Sequence, residues 1–285
     1  MMKIAAMLLV VVTTTNLVAQ EMPQPSPAAK VEQRIGLTDV TVEYSRPSVK
    51  GREVFGDLVP NDEIWRTGAN LNTLITFTDD VRINGEALKA GTYSFFTIPS
   101  SEITGWSVMF NSVIDGWGDG KYDKANNVLT IFVQPKSVVY QESMQFSFDN
   151  LTDNSGSLIL TWEKTAIIVS IEVEVEKKAW KSIEIAMEDA TDKNKASVYR
   201  NSAKYTVTTK KRLKEGLGWI NESIKMNEYW YSYWVKADVQ HAMGDNKGAV
   251  VSINKAIDLG EAGAKESGKP FGYKEKLEKA IAEFK

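Results

Sequence analysis

The chain has 285 residues, with 34 lysines and arginines, 37 aspartates and glutamates, one histidine and no cysteine. These counts exclude disulfide bonds, a lipid anchor on cysteine and a zinc site built from cysteine and histidine. They also argue against Cys–His and Ser–His–Asp nucleophilic catalysis. The net charge of −3 is divided unevenly, since residues 20–176 carry −10 and residues 177–285 carry +6.

The first 19 residues have the pattern of a secretory signal peptide. Lys3 precedes a short apolar core from Ile4 to Val12, and we expect cleavage after Ala19. This core is shorter than the roughly 20 apolar residues that span a bilayer. We therefore expect an exported protein of the periplasm or the outer surface, with no transmembrane segment after cleavage. Residues 20–30 contain three prolines and are predicted to form a proline-rich tether.

Residues 31–176 contain short runs in which apolar and polar residues alternate, as in Val40–Tyr44, and turn signals separate the runs. The pattern predicts about ten short strands, of which the last two are Ser157–Trp162 and Ala166–Val175. Asn84-Gly85 predicts a tight type I′ hairpin, because both residues accept positive φ angles. The first domain is thus expected to be an antiparallel β-sandwich or jelly-roll-like domain.

Several motifs in this half occur in a fixed order: YSRPSVKGR from Tyr44, WRTGAN from Trp65, AGTYS from Ala90 and DNLTD from Asp149. Over about residues 25–175 the chain resembles a family of exported bacterial proteins that is catalogued only as a domain of unknown function. The resemblance implies a β-rich exported domain. It supplies neither an activity nor catalytic residues.

In residues 177–285 a helical period replaces the alternation. Residues 214–228 match residues 247–261 at a constant offset of 33, so that Ile220 corresponds to Ile253. This offset is close to the roughly 34-residue period of tetratricopeptide repeats. We therefore predict an α+β chain in which the β domain is followed by α-helical, tetratricopeptide-like hairpins.

Cations, aromatic residues and amides are concentrated between residues 44 and 70. Guanidinium groups beside aromatic and amide side chains can hold a carboxylate, a phosphate or a sugar. Alternatively, the arginines hold loops through Glu43, Glu53 and Glu63. The predicted ligand-site residues are Tyr44, Arg46, Lys50, Arg52, Trp65, Arg66, Thr67 and Asn70.

A second concentration of aromatic residues occupies residues 228–234, where five of seven positions are tyrosine or tryptophan. On a helix they form two neighbouring faces, which are typical of a protein-binding surface. The alternative is that they form the core between helices. The predicted partner-binding residues are Tyr229, Trp230, Tyr233 and Trp234.

Two further patterns are interpreted without a ligand. Asp115, Asp119 and Asp123 lie four residues apart in a glycine-rich loop, and their oxygens suit calcium. The spacing is not that of an EF-hand and Lys121 interrupts the negative charge, so we predict a plain acidic loop, no metal site and no cofactor. The basic stretch 204–214 carries no nucleic-acid-binding motif, and we predict no nucleic-acid partner.

The sequence favours a non-catalytic binding or assembly protein. In this interpretation the β domain holds a small anionic or carbohydrate ligand, and the helical tail contacts a protein partner. Two alternatives remain open. One is an envelope polysaccharide or peptide hydrolase that uses carboxylates, and the other is a purely structural scaffold in which the opposite charges hold the halves together.

Overall fold

The computed structural model of the protein describes residues 22–100, 105–118 and 120–284. The predicted signal peptide and the first two residues of the predicted tether lie outside the described residues. The chain divides into two compact units, the first ending at Glu174 and the second beginning at Val175. Within the described ranges the first unit contains the strands and the second contains the α-helices, so the fold is α+β.

Ten strands are present in the described part of the first unit, which we call the β unit. They form a six-stranded sheet in the order β1-β2-β3-β6-β7-β8 and a four-stranded sheet in the order β5-β4-β10-β9. The strand pairings are antiparallel. The bounds are β1 (Ala28–Ile35), β2 (Thr38–Ser45), β3 (Leu74–Phe77), β4 (Val81–Ile83), β5 (Glu86–Leu88), β6 (Gly91–Ile98), β7 (Trp106–Asn111), β8 (Asn127–Val133), β9 (Lys136–Asp149) and β10 (Ser155–Val173).

The predicted hairpin at residues 84 and 85 is confirmed. β4 pairs with β5, with Ile83 opposite Glu86. Asn84 has φ 49° and Gly85 has φ 88°, which are the positive angles that a type I′ turn requires. This turn fixes the register of two three-residue strands that are too short to pair stably alone.

Two boundaries differ from the sequence-based expectation. β1 begins at Ala28, which pairs with Ser45 of β2, so the ladder extends three residues into the predicted tether. β10 runs unbroken through the gap predicted between two strands. Register shifts around Glu163, whose φ is 54°, let the strand absorb the extra residues as bulges instead of ending.

Aromatic side chains from both sheets form the core of the β unit. Tyr44 of β2 meets Phe146 of β9 with ring centroids 4.9 Å apart, and Phe95 of β6 meets the same ring at 5.7 Å. A second group, the tryptophan cluster, consists of Phe55, Trp65, Trp106 and Trp162, and in it Trp65 stacks on Trp162 at 5.8 Å. The cluster is buried beside the loop that carries Arg66.

Six α-helices form the described part of the second unit, which we call the helical unit. Helices α2 and α3 pack together, as do α4 and α5. Small residues bring them close: a Cβ on Gly216 of α3 would lie 2.3 Å from the Thr206 hydroxyl oxygen of α2. The bounds are α1 (Val175–Glu188), α2 (Lys195–Thr209), α3 (Leu213–Met226), α4 (Trp230–Ala242), α5 (Asn246–Ser267) and α6 (Lys274–Glu283).

Within the residue ranges given above, no helix combines the length and the apolar character needed to cross a bilayer.

Candidate functional site

The segment of residues 66–72, which we call the arginine loop, leaves the six-stranded sheet and returns to it beside the same strand. Before the loop, Trp65 and Thr97 exchange two backbone hydrogen bonds of 2.8 and 2.9 Å. After the loop, the Phe95 N–H donates to the Thr73 carbonyl at 2.8 Å. Both ends of the loop are therefore anchored on β6, and Thr67, Gly68 and Asn72 within the loop are buried.

Buried side chains hold the arginine loop in a single conformation. The Trp65 indole N–H donates to the Gly68 carbonyl at 3.1 Å, and the Thr73 hydroxyl donates to the Thr67 carbonyl at 2.7 Å. Thr67 is fully buried, and its hydroxyl donates to that of Thr97 at 3.1 Å. Thr67 also has φ 54°, a strained angle for a β-branched residue, and the surrounding bonds hold it.

A second loop, residues 112–123, lies against the arginine loop. The Asn72 N–H donates to the Gly116 carbonyl at 3.2 Å, and the Gly118 N–H donates to the Asn70 carbonyl at 3.1 Å. These bonds form a bridge between Leu71 and Trp117. The two bridged side chains are 60 % and 66 % exposed, so an apolar pair stands on the surface directly above the contact between the loops.

Only glycine fits at residue 116, because the contact between the loops is tight. A Cβ there would lie 2.3 Å from the side-chain nitrogen of Asn72. That nitrogen donates to the Ser94 hydroxyl at 3.1 Å. The Asn72 side-chain oxygen is also buried but has no hydrogen-bond partner among the described residues, which leaves one acceptor unsatisfied beneath the loops.

Arg66 carries the second unsatisfied group. Its Nε is buried without a hydrogen-bond partner, and within the described ranges the guanidinium donates no hydrogen bond and forms no ion pair. Its Nη1 lies 3.5 Å from the position that a Cβ on Gly118 would occupy. Leaving a buried charged donor unpaired costs more than leaving a neutral one unpaired. This cationic donor, beside an exposed indole and an unsatisfied amide oxygen, is suited to binding an oxygen-rich ligand.

The other two predicted arginines of the β unit are already engaged. Arg46 donates from Nε to the Met144 carbonyl at 2.8 Å, and Arg52 donates to the Val49 and Ser48 carbonyls at 3.0 and 2.5 Å. The alternative that these arginines hold loops is thus supported, with backbone carbonyls in place of the expected Glu43, Glu53 and Glu63. Lys50 is exposed, and its backbone N–H donates to the Glu142 carboxylate.

The remaining predicted residues support the fold around the arginine loop. Tyr44 is buried and its hydroxyl accepts a hydrogen bond from the Phe146 N–H at 3.1 Å. Asn70 donates to the Ser26 carbonyl and the Ser45 hydroxyl, and Trp65 and Thr67 are the buried anchors described above. Of the eight predicted residues, the structure leaves Arg66 as the cation that combines partial burial with no partner.

Two residues of this site were not predicted. Trp117 lies between Gly116 and Gly118 in the segment predicted to be a plain acidic loop, and a tryptophan between two glycines is the local signal that could have indicated an exposed ring. Asn72 carries no local signal. In the same loop Asp115 forms an ion pair with Lys121 at 2.8 Å, and Asp123 accepts from the Ala125 N–H. Asp119 lies outside the described residues.

The predicted aromatic surface of the helical unit divides into two parts. Trp230 and Trp234 join a cluster with Phe271 and Tyr273, in which Trp230 lies 5.0 Å from each of those rings. Tyr233 also packs on the helical core and donates from its hydroxyl to Glu228 at 3.0 Å. Tyr229 is 39 % exposed and, with Trp230, lines a groove of about 390 Å³.

A half-buried carboxylate, Asp238, lies on the same helix as this aromatic surface. Burial raises the pKa of Asp238 to about 6 from an ordinary 3.8, although a hydrogen bond from Trp234 and the charges of Lys204, His241 and Lys276 act to lower it. Because the folded-state pKa is the higher one, folding takes up a proton between about pH 4 and pH 6. This contribution to stability is lost as the pH rises through that interval.

We therefore expect Asp238→Asn to raise the free energy of unfolding at pH 7.5 by about 1–2 kcal/mol and to change it little at pH 4.5. Urea denaturation at the two pH values measures the difference. The exposed Asp258 on α5 provides the control, since Asp258→Asn should leave the pH dependence unchanged. An equal effect of Asp238→Asn at both pH values would contradict the expected protonation.

Comparison with known proteins identifies a family for the chain but gives no activity. A family model described as "Protein of unknown function (DUF2911)" matches residues 26–171, which is just over half of the chain and nearly the whole segment in which the resemblance was expected. No curated protein and no solved structure matches the chain.

Proposed function

Since the chain belongs to the DUF2911 family of proteins of unknown function, we propose its function from the site alone: it is a non-catalytic binding protein whose β unit holds a carbohydrate at Arg66 and Trp117. The observation that carries the proposal is the partly buried guanidinium of Arg66, which has no hydrogen-bond partner at Nε among the described residues and whose Nη1 lies 3.5 Å from the Cβ position of Gly118, next to Trp117, which is 66 % exposed. A partly buried cation without a partner lowers the stability of a fold, and such unfavourable groups are typical of binding sites.

The chemistry of the site favours a sugar. An exposed tryptophan offers a flat apolar face that can cover the C–H face of a pyranose ring. A sugar hydroxyl both accepts and donates hydrogen bonds, so it can accept one from the Arg66 guanidinium directly or through a water that it orders. A sugar that bears a carboxylate would in addition pair with the guanidinium through two hydrogen bonds.

The carboxylate beside the site is poorly suited to hydrolysis. A glycosidase needs one carboxyl group that stays protonated near neutral pH to act as a general acid. Asp115 is one of the three acids of the neighbouring loop, and its hydrogen bond and charge interaction with Lys121 lower its pKa. Asp115 therefore stays ionised, which favours binding over the hydrolase alternative.

We extend the proposal to the location of the protein, to the architecture of its two units and to a protein partner. The signal-peptide pattern supports export to the periplasm or outer surface, where envelope carbohydrates are present. Aromatic contacts between the two sheets support a sandwich, and the 33-residue spacing between the starts of α3 and α5 supports tetratricopeptide-like hairpins. The groove beside Tyr229 and Trp230 supports a protein partner for the helical unit.

Calorimetric titration of the mature protein with soluble oligosaccharides tests the proposal. The panel contains neutral hexose oligomers and hexuronic-acid oligomers. We expect at least one class to bind and Trp117→Ala to weaken that binding by about tenfold, because stacked aromatic residues dominate such contacts. The matched control is Phe132→Ala on β8, which removes another exposed aromatic ring (68 % exposed) and should leave binding unchanged. Equal losses in both variants, or no binding in the wild type, would count against the site.

A further inference from the structure

A second unpaired guanidinium lies in the helical unit, at Arg200 of α2. Its Nε is buried without a hydrogen-bond partner, and across the described part of the chain the side chain forms no ion pair. The guanidinium lies over two aromatic rings, with its central carbon 5.5 Å from the centroid of Tyr229 and 5.6 Å from that of Tyr231. The rings orient the charged group by cation–π contact without giving it a hydrogen-bond acceptor.

A second cation reaches the same ring one turn further along the helix. Lys204 is exposed, its ammonium lies 5.7 Å from the centroid of Tyr231, and it donates to the Tyr231 hydroxyl at 3.0 Å. Like charges four residues apart repel each other on a helix. Asp238 acts on Lys204 electrostatically but forms no ion pair with it within the described residues. The two cations therefore leave a local excess of positive charge.

This cation pair borders the groove through Tyr229, whose ring contacts Arg200 and whose side chain also lines the groove. The lining includes the apolar side chains of Trp230 and Phe271 and the cation Lys269. Glu228 is the acid in the lining, and it is already paired with Lys255 at 3.2 Å. The surface thus combines an apolar recess with cations that lack carboxylate partners.

We propose that Arg200, Lys204 and Tyr229 form a carboxylate-binding site that receives an acidic segment of a protein partner, with an apolar side chain of that segment in the groove. The positive charge of the site favours an acidic ligand, because a carboxylate matches the planar guanidinium and accepts hydrogen bonds from both cations. The inference rests on the partner contact proposed above and specifies the partner's chemistry.

Nuclear magnetic resonance with arginine-labelled full-length mature protein tests the site directly. The probe is an acetylated peptide with glutamates on both sides of a Leu-Phe pair, and the reference peptide has glutamine in place of each glutamate. We expect the glutamate peptide to shift the Arg200 Nε–Hε resonance and to bind about tenfold or more tightly than the glutamine peptide, because charge-assisted bonds are the stronger ones.

Single substitutions distinguish a loss of binding at the two cations from a general effect on the protein. Arg200→Gln, and Lys204→Gln at an exposed position, are each expected to weaken binding of the glutamate peptide by about tenfold. Lys247→Gln is the matched control, since it removes one exposed cation of the same unit that lies 12 residues, or about 18 Å, along α5 from Leu259 of the groove lining. Three results would overturn the inference: no shift of the Arg200 resonance, equal affinity for the two peptides, or an equal shift with millimolar inorganic phosphate. If a natural partner still bound the Arg200→Gln variant, the proposed partner contact of the helical unit would stand, and the proposed carboxylate-binding site would be contradicted.

Discussion

Replacing Trp162 by alanine is expected to lower the free energy of unfolding of the β unit by about 3–5 kcal/mol, the usual cost of truncating a buried tryptophan. Trp162 of β10 is 1 % exposed, and its ring centroid lies 5.8 Å from that of Trp65 and 6.1 Å from that of Phe55. Trp65 in turn anchors the arginine loop. Removing the Trp162 ring should therefore disturb the arginine loop at the proposed ligand site as well as the packing of the core.

Urea denaturation followed by circular dichroism measures the effect. Trp162→Phe is the matched variant, because it keeps an aromatic ring in the cluster and removes an indole N–H that has no partner among the described residues. We expect it to cost clearly less, about 1–2 kcal/mol. A cost below about 1 kcal/mol for Trp162→Ala would show that the tryptophan cluster does not stabilise the unit.

Replacing Arg66 by methionine is expected to have opposite effects on stability and on binding. The side chain loses an unpaired buried donor and a partly desolvated charge and keeps its apolar stem, so the free energy of unfolding should rise by about 1 kcal/mol. The same change removes the cation from the site. Carbohydrate binding should weaken by about thirtyfold, or about 2 kcal/mol.

Arg46→Met is the matched control for this prediction. Arg46 donates to the Met144 carbonyl at 2.8 Å, so its replacement leaves an acceptor unpaired and should lower stability by about 1 kcal/mol. Binding should be unchanged, since the Arg46 Nε is already engaged by a backbone carbonyl. If Arg66→Met also destabilised the protein and left binding intact, the unpaired guanidinium would be a structural group.

Local patterns account for most of the fold. The alternation in residues 40–44 and the dipeptide Asn84-Gly85 depend on side-chain period and on φ angles, which are properties of the chain itself. The helical period of residues 177–285 is local in the same sense, and the structure contains helices there. The continuity of β10 was not predictable, because bulges around Glu163 depend on the partner strand β9.

The site was only partly predictable, for a physical reason. In the sequence Arg46, Arg52 and Arg66 are equivalent cations. In the structure the Met144 carbonyl, which is distant in sequence, accepts a hydrogen bond from Arg46, whereas the Arg66 Nε has no partner among the described residues. Which arginine stays unpaired is decided by tertiary contacts. Trp117 is placed beside it by backbone bonds between two loops that are far apart in sequence.

The ligand proposed for the β unit should remain bound to protein that is isolated gently from its own host. Native mass spectrometry of this mature protein would detect the ligand by its mass. We predict a reproducible adduct with the mass of a sugar, retained in Arg46→Met and lost in both Arg66→Met and Trp117→Ala. An adduct that survives in Arg66→Met, or a wild-type protein that carries none and binds none of the oligosaccharide panel, would contradict the proposal.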